Sequence, residues 1–206
     1  MIFAAAANAS TWAWYFSRAT GMVALVLLTA IMVLGVLGPL RVSTNLWPRF
    51  AIRTVHRDLS LLALLVIAIH VITLVADSYV KVPLSAAVLP FGSSYSPFWT
   101  GLGAVAFDLM IALVVTSLIR GRLGFRVWRF IHWSAYISWP LAVAHGIATG
   151  TDTLAAWDLA TTVVCIAVVA VAVAMRVQGG SAAPTLEAAW PQASAPEAQP
   201  LRRLRR

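Results

Sequence analysis

Four histidines are the only groups in this chain whose type and spacing point to a shared chemistry. His56 and His70 stand fourteen residues apart, and His132 and His145 thirteen. Each pair closes an apolar stretch, HRDLSLLALLVIAIH and HWSAYISWPLAVAH. On a helix rising 1.5 Å per residue, either spacing covers about 20 Å. If the two stretches run parallel, the four imidazoles form two cross-helix pairs at two depths. Imidazole is the commonest metal ligand among side chains. No carboxylate or thiolate recurs beside these histidines, and one cysteine, Cys165, excludes an internal disulfide or a multi-cysteine metal site. Zinc asks for four protein ligands, or three and a water. Two imidazoles at each depth suit instead the axial positions of haem iron. There is no C-x-x-C-H for covalent attachment. The expectation is two non-covalent b-type haems, each bis-histidyl, with His56 and His132 on one and His70 and His145 on the other. The plainer alternative is packing: a single helix histidine is usually a hydrogen-bonded core residue, and His56 beside Arg57 and Asp58 also fits an interface.

The elements that position these residues read as membrane spans. The chain has 206 residues, 61% apolar and 11% charged, against about 25% charged in ordinary soluble domains. Mean hydropathy is +0.85. Apolar runs long enough to cross a ~30 Å hydrocarbon core fall at about 14–37, 55–76, 102–119, 127–148 and 155–175. The N-terminal residues lack a basic region ahead of an apolar stretch, so the first run is expected to be retained rather than cleaved. The formal charge is +8, too scattered to track a phosphate backbone, so no nucleic-acid partner is expected. The basic residues set topology instead. In a five-span order, thirteen of the fifteen fall on one side: Arg41, Arg49, Arg53, Arg57, Arg120, Arg122, Arg126, Arg129, Arg176, Arg202, Arg203, Arg205 and Arg206. Only Arg18 and Lys81 fall on the other. This predicts an N-terminus outside and a C-terminus in the cytoplasm. Spans two and four then run parallel, with His56 and His132 inside and His70 and His145 outside.

Ring azimuth separates the two pairs. At ~100° per residue, His56 and His70 differ by only ~40°. His132 and His145 differ by ~140°, which would put them on nearly opposite faces of an ideal helix. Pro140 lies between them and removes the bond to the Tyr136 carbonyl. A distortion there is expected to bring His145 back toward His70.

Other polar positions carry paired readings. Arg53, Arg57 and Arg129 lie within a turn of the inner histidines, where they would pair with cofactor carboxylates or simply fix topology. Arg18 would neutralise an outer carboxylate or reach the headgroups. Asp108, the acid well inside a span, would handle a proton near an outer acceptor, pair with Arg18, or sit neutral and hydrogen-bonded. Gly21, Gly35, Gly101 and Gly103 would admit a close helix or macrocycle. Residues 78–100, with Pro83, Pro90 and Pro97, form a long apolar outer loop expected to lie on the membrane or fold over the bundle. Residues 177–206 read as a disordered basic tail.

The two histidine segments, HRDLSLLALLVIAIH and WRFIHWSAYISWPLAVAHG, resemble the haem-binding helices of the ferric reductase-like transmembrane domain. That superfamily takes in eukaryotic ferric reductases, NADPH oxidases and the bacterial haem subunit feeding a periplasmic methionine sulfoxide reductase. The first span, RATGMVALVLLTAIMVLGVL, and the loop PFGSSYSPFWTGLG resemble its actinobacterial branch. The resemblance covers about residues 12–176. It implies His56 with His132 and His70 with His145 as shared ligands, and electron flow from inside to outside. Many members have six spans where five are read here. Oxidases and eukaryotic reductases add a flavin and nicotinamide domain; this tail has no G-x-G-x-x-G after a strand, so a separate donor is expected.

The expected architecture is an all-α polytopic membrane protein with five transmembrane helices holding two stacked b-type haems. A short outer N-terminus (1–11) precedes the haem-binding domain (12–176) and the tail (177–206). The expected function is an electron-transfer subunit in the cytoplasmic membrane, an oxidoreductase component. It would carry electrons from a cytoplasmic flavoprotein or a quinol to ferric iron or an outer redox partner. The alternative is a non-redox anchor or small transporter subunit.

Overall fold

The computed structural model describes residues 2–38, 49–77 and 82–181. Every regular element among them is helical: α1 (Ile2–Leu37), α2 (Arg49–Ala76), a 3-10 turn at Leu84–Ala87, α3 (Pro97–Leu118), α4 (Arg120–Leu123), α5 (Phe125–His132), α6 (Ala135–Thr149) and α7 (Ala156–Ser181). In hydrocarbon each backbone amide must be satisfied within its own segment, which selects helix for apolar runs of this length. Four helices are long and apolar enough to cross a membrane: α1, α2, α3 and α7. The chain is a multi-pass membrane protein.

The segment expected as one span at 127–148 is two helices, α5 and α6, broken at Trp133–Ser134. The expected distortion is present, but it lies nearer His132 than Pro140, which sits inside α6. Amides here bond three residues back: Trp133 to Phe130 at 3.2 Å, Ser134 to Ile131 at 2.9 Å, Tyr136 to Trp133 at 3.1 Å and Ile137 to Ser134 at 3.0 Å. Such a turn advances ~120° per residue rather than ~100°. Four tightened residues recover roughly 80° of the ~140° mismatch between His132 and His145.

The helices alternate in direction. α1 and α2 are antiparallel, with Gly21 against His70 and Gly35 against His56. α3 and α6 are antiparallel, with Gly103 against His145 and the Ser138 hydroxyl donating to the Ala106 carbonyl at 3.1 Å. α7 runs alongside α1 in the same direction. α1 is the central element and packs on α2, α6 and α7. Two apolar clusters hold the bundle. One joins Ala63, Met110 and Val114 with Leu27, Ile31 and Ile67. The other joins Met32, Val36, Val169 and Ala172 with Trp139, whose indole donates to Thr29 Oγ1 at 3.1 Å. Large apolar side chains such as Leu65, Ile72 and Val171 face outward, as a lipid solvent permits.

The expected domain edges move. α1 begins at Ile2, within the expected outer N-terminus, and α7 continues to Ser181, past the expected start of the tail. Residues 182–206 lie outside the described residues. The outer loop folds over the bundle: Val82 and Ala86 are buried. Its end is knitted by Ser93, whose hydroxyl donates to the Tyr95 carbonyl at 3.0 Å, and by Thr100, which donates to the same carbonyl at 2.8 Å.

Candidate cofactor site

The two histidine-bearing elements, α2 and α5–α6, are not among the helix pairs in substantial contact. They face each other across a gap framed by α1 on one side and α3 on the other. All four histidines are half-buried and project into this gap at its two ends.

At the outer end, His70 and His145 line one cavity of about 250 Å³. Ser17, Gly21, Gly103 and Met110 contribute to its walls, and Ala86 and Tyr95 of the outer loop cover it. Each ring is fixed by the backbone of a different helix. His70 Nδ1 lies 2.7 Å from the Ser17 carbonyl oxygen, and His145 Nδ1 lies 2.9 Å from that of Trp99. A carbonyl only accepts, so both Nδ1 atoms must carry the proton. That leaves Nε2 of each ring with a free lone pair, the tautomer a metal ligand needs.

The inner end is built differently. His56 and His132 have ring centroids 6.3 Å apart. Two imidazoles sharing one ion through metal–nitrogen bonds of ~2 Å place their ring centres roughly 6 Å apart, so the spacing fits. His132 also stacks on Trp128 at 4.9 Å. Neither Nδ1 has a hydrogen-bond partner among the described residues. No group of three or more histidine, cysteine or acidic residues that could hold a metal ion occurs among the described residues. The donor set is two imidazoles at each depth, which fits axial ligation of haem better than a zinc site.

The expected arginines do different things. Arg18 lies on the cavity wall and is already engaged. It donates to Thr151 Oγ1 at 2.6 Å and pairs with Asp152 at 3.1 Å and Asp158 at 3.8 Å. Its guanidinium also lies 5.2 Å from the Trp14 ring centre. The Nε–Asp152 approach is close in distance but off hydrogen-bond angle. The suggested pairing of Arg18 with Asp108 is therefore absent. Asp108 is half-buried and is not part of the cavity wall. Arg57 is exposed and bonds its own neighbour Asp58 at 2.9 Å. Arg53 and Arg129 are exposed. None of these three is drawn toward the inner histidines by a described contact.

The glycines divide too. Gly21, Gly35 and Gly103 each face a histidine ring, while Gly101 faces the ring of Phe91. The Ser17 and Trp99 carbonyls were not legible as site groups, since backbone atoms carry no side-chain signature. Asp152 and Asp158 were visible as outer acids, but nothing in the sequence tied them to Arg18.

The family described as "Ferric reductase like transmembrane component" matches residues 20–143. This is more than half of the chain, and the matched stretch takes in His56, His70 and His132. No curated protein and no solved structure matches. With two depth-matched histidine pairs held across the gap of a helical membrane bundle, the chain belongs to the ferric reductase-like transmembrane component family.

Proposed function

We propose that this protein is a transmembrane electron-transfer subunit binding two b-type haems, with His56 and His132 as inner ligands and His70 and His145 as outer ligands. The carrying observation is the outer pair: two imidazoles on facing elements, each with Nδ1–H committed to a carbonyl and Nε2 left free. Bound there, each haem supplies reversible one-electron transfer with both axial positions filled.

The chain's own residues do the rest. In this reading α5–α6 completes a fifth crossing, with the N-terminus outside and the arginine-rich face in the cytoplasm. Residues 12–176 form the haem-binding domain, and 177–206 include a basic tail at the inner surface of the cytoplasmic membrane. The loop carrying Ala86 and Tyr95 limits water at the outer cavity. Arg18, Arg57 and Arg129 are the cations available to cofactor carboxylates, Arg18 after exchange with Asp152 or Asp158. Asp108 remains a candidate proton carrier. A cytoplasmic flavoprotein or a quinol is the donor, and ferric iron or a redox protein is the outer acceptor.

Oxidised and dithionite-reduced spectra of the purified protein test this directly. Two low-spin b-type haems per chain are expected. A His70→Leu, His145→Leu double variant should keep one of them. Protein that shows no b-type signature, or full haem in the double variant, would favour the non-redox anchor or transporter.

A further inference from the structure

Two of the four histidines meet the same local device on the neighbouring helix. His70 bonds the carbonyl of Ser17, and four residues on, Gly21 lies against the ring: a Cβ there would stand 3.1 Å from His70 Cε1. His145 bonds the carbonyl of Trp99, and four residues on, a Cβ at Gly103 would stand 2.6 Å from its Nδ1. At His56 a Cβ at Gly35 would stand 3.4 Å from its Cε1, but its Nδ1 has no hydrogen-bond partner among the described residues. The chemistry of the spacing is plain. In a helix the carbonyl of residue i is bonded by the amide of i+4. A side chain at i+4 covers that oxygen from the flank. Glycine at i+4 uncovers it, so a ring from the next helix can enter and donate to it.

The fourth histidine shows the device blocked. Extended past the turn at Trp133–Ser134, the antiparallel register that sets His145 against Trp99 and Ser138 against Ala106 assigns His132 to the level of Ala112 and Thr116, again four residues apart. Thr116 stands where the glycine would be. Its own hydroxyl donates to the Ala112 carbonyl at 2.6 Å, and His132 Nδ1 has no partner among the described residues.

We propose that Gly21 and Gly103 are positioning residues: each uncovers a backbone carbonyl that fixes the proton and orientation of a ligand histidine, and Thr116 withholds this from His132. The outer site thus has two anchored rings, and the inner site has none among the described residues. The proposal rests on the haem-ligand reading above and extends it to residues that never touch the iron.

The test uses the full chain, purified in detergent with haem, and reads haem content, the two midpoint potentials and the low-spin EPR g-spread, which follows ring orientation. Gly103→Ala, the tightest position, should weaken outer haem retention by about tenfold or more, as loss of partners behind a metal ligand does. Gly21→Ala should shift the outer potential and g-spread with haem retained. Gly121→Ala, whose Cβ would meet open space, should leave both sites alone. Thr116→Gly should shift the inner signals only, and Thr116→Ala less. Should Gly103→Ala fail to fold, Gly21→Ala and Thr116→Gly carry the decision. Unchanged potentials and g-spread in those two variants would overturn the proposal while leaving the ligands intact. Two haems per chain persisting in the His70→Leu, His145→Leu variant would defeat the ligand reading itself.

Discussion

The outer and inner halves of the gap hold the same two imidazoles and treat them differently. Outside, both rings are bonded to carbonyls of α1 and α3, a loop covers the cavity, and the nearest cation ties separate elements together. Arg18 on α1 reaches Thr151 and Asp152 after α6 and Asp158 in α7. Inside, neither Nδ1 is bonded among the described residues, and the nearest ion pair, Arg57 with Asp58, links neighbours on one helix. Binding sites gain precision when the groups behind the ligands are themselves fixed. The outer site is the preorganised one, and the inner site has freedom to adjust to whatever approaches it.

That contrast can be broken by removing ligands. The largest expected effect is from His145→Leu, which should eliminate the outer haem and leave one per chain, measured by pyridine haemochrome against protein. His132→Leu should remove the inner haem instead. If either variant lost both, the two sites would be coupled through folding, and the contrast would fail.

Next is Arg18→Leu. It leaves buried Asp158 without its cation, and breaking such a pair costs about 3 kcal/mol. A clear drop in thermal stability in detergent is expected, with the outer haem absorbance decaying first. Simultaneous loss of both haem signals would argue against an outer-specific clasp.

Asp152→Asn removes the more exposed of the two acids, 41% accessible, and should cost less than ~1 kcal/mol. A loss as large as that of Arg18→Leu would make Asp152 rather than Asp158 the anchor. Arg57→Ala should have the smallest effect, below about 0.5 kcal/mol, because its pair with Asp58 is solvent-facing. An altered inner midpoint potential in Arg57→Ala would instead place this arginine on a cofactor carboxylate.

Much of the arrangement was legible in the residues. The apolar runs predicted α1, α2, α3 and α7, and the spacing of the histidines predicted which two share a depth. The apolar outer loop was expected to lie on the membrane or over the bundle, and the burial of Val82 and Ala86 decides for the bundle. The break before α6 was anticipated from Pro140 but misplaced, because a proline frees a carbonyl without saying which neighbouring turn will tighten. Arg18 was picked out as an outer cation, yet its partners depend on α1 lying beside α7, a contact between opposite ends of the chain. The cover over the Ala112 carbonyl could not be read at all, since a threonine at helical spacing looks like any other.

By itself the sequence determined the solvent, the helical class and the spacing of the histidines along each segment. These follow from composition and from rise per residue, which are properties of a segment alone. Only the tertiary structure decided which face each imidazole presents, which carbonyl it finds and which acids hold Arg18. Those outcomes depend on helix winding at Trp133–Ser134 and on the register between neighbours, and both are settled by packing across the bundle.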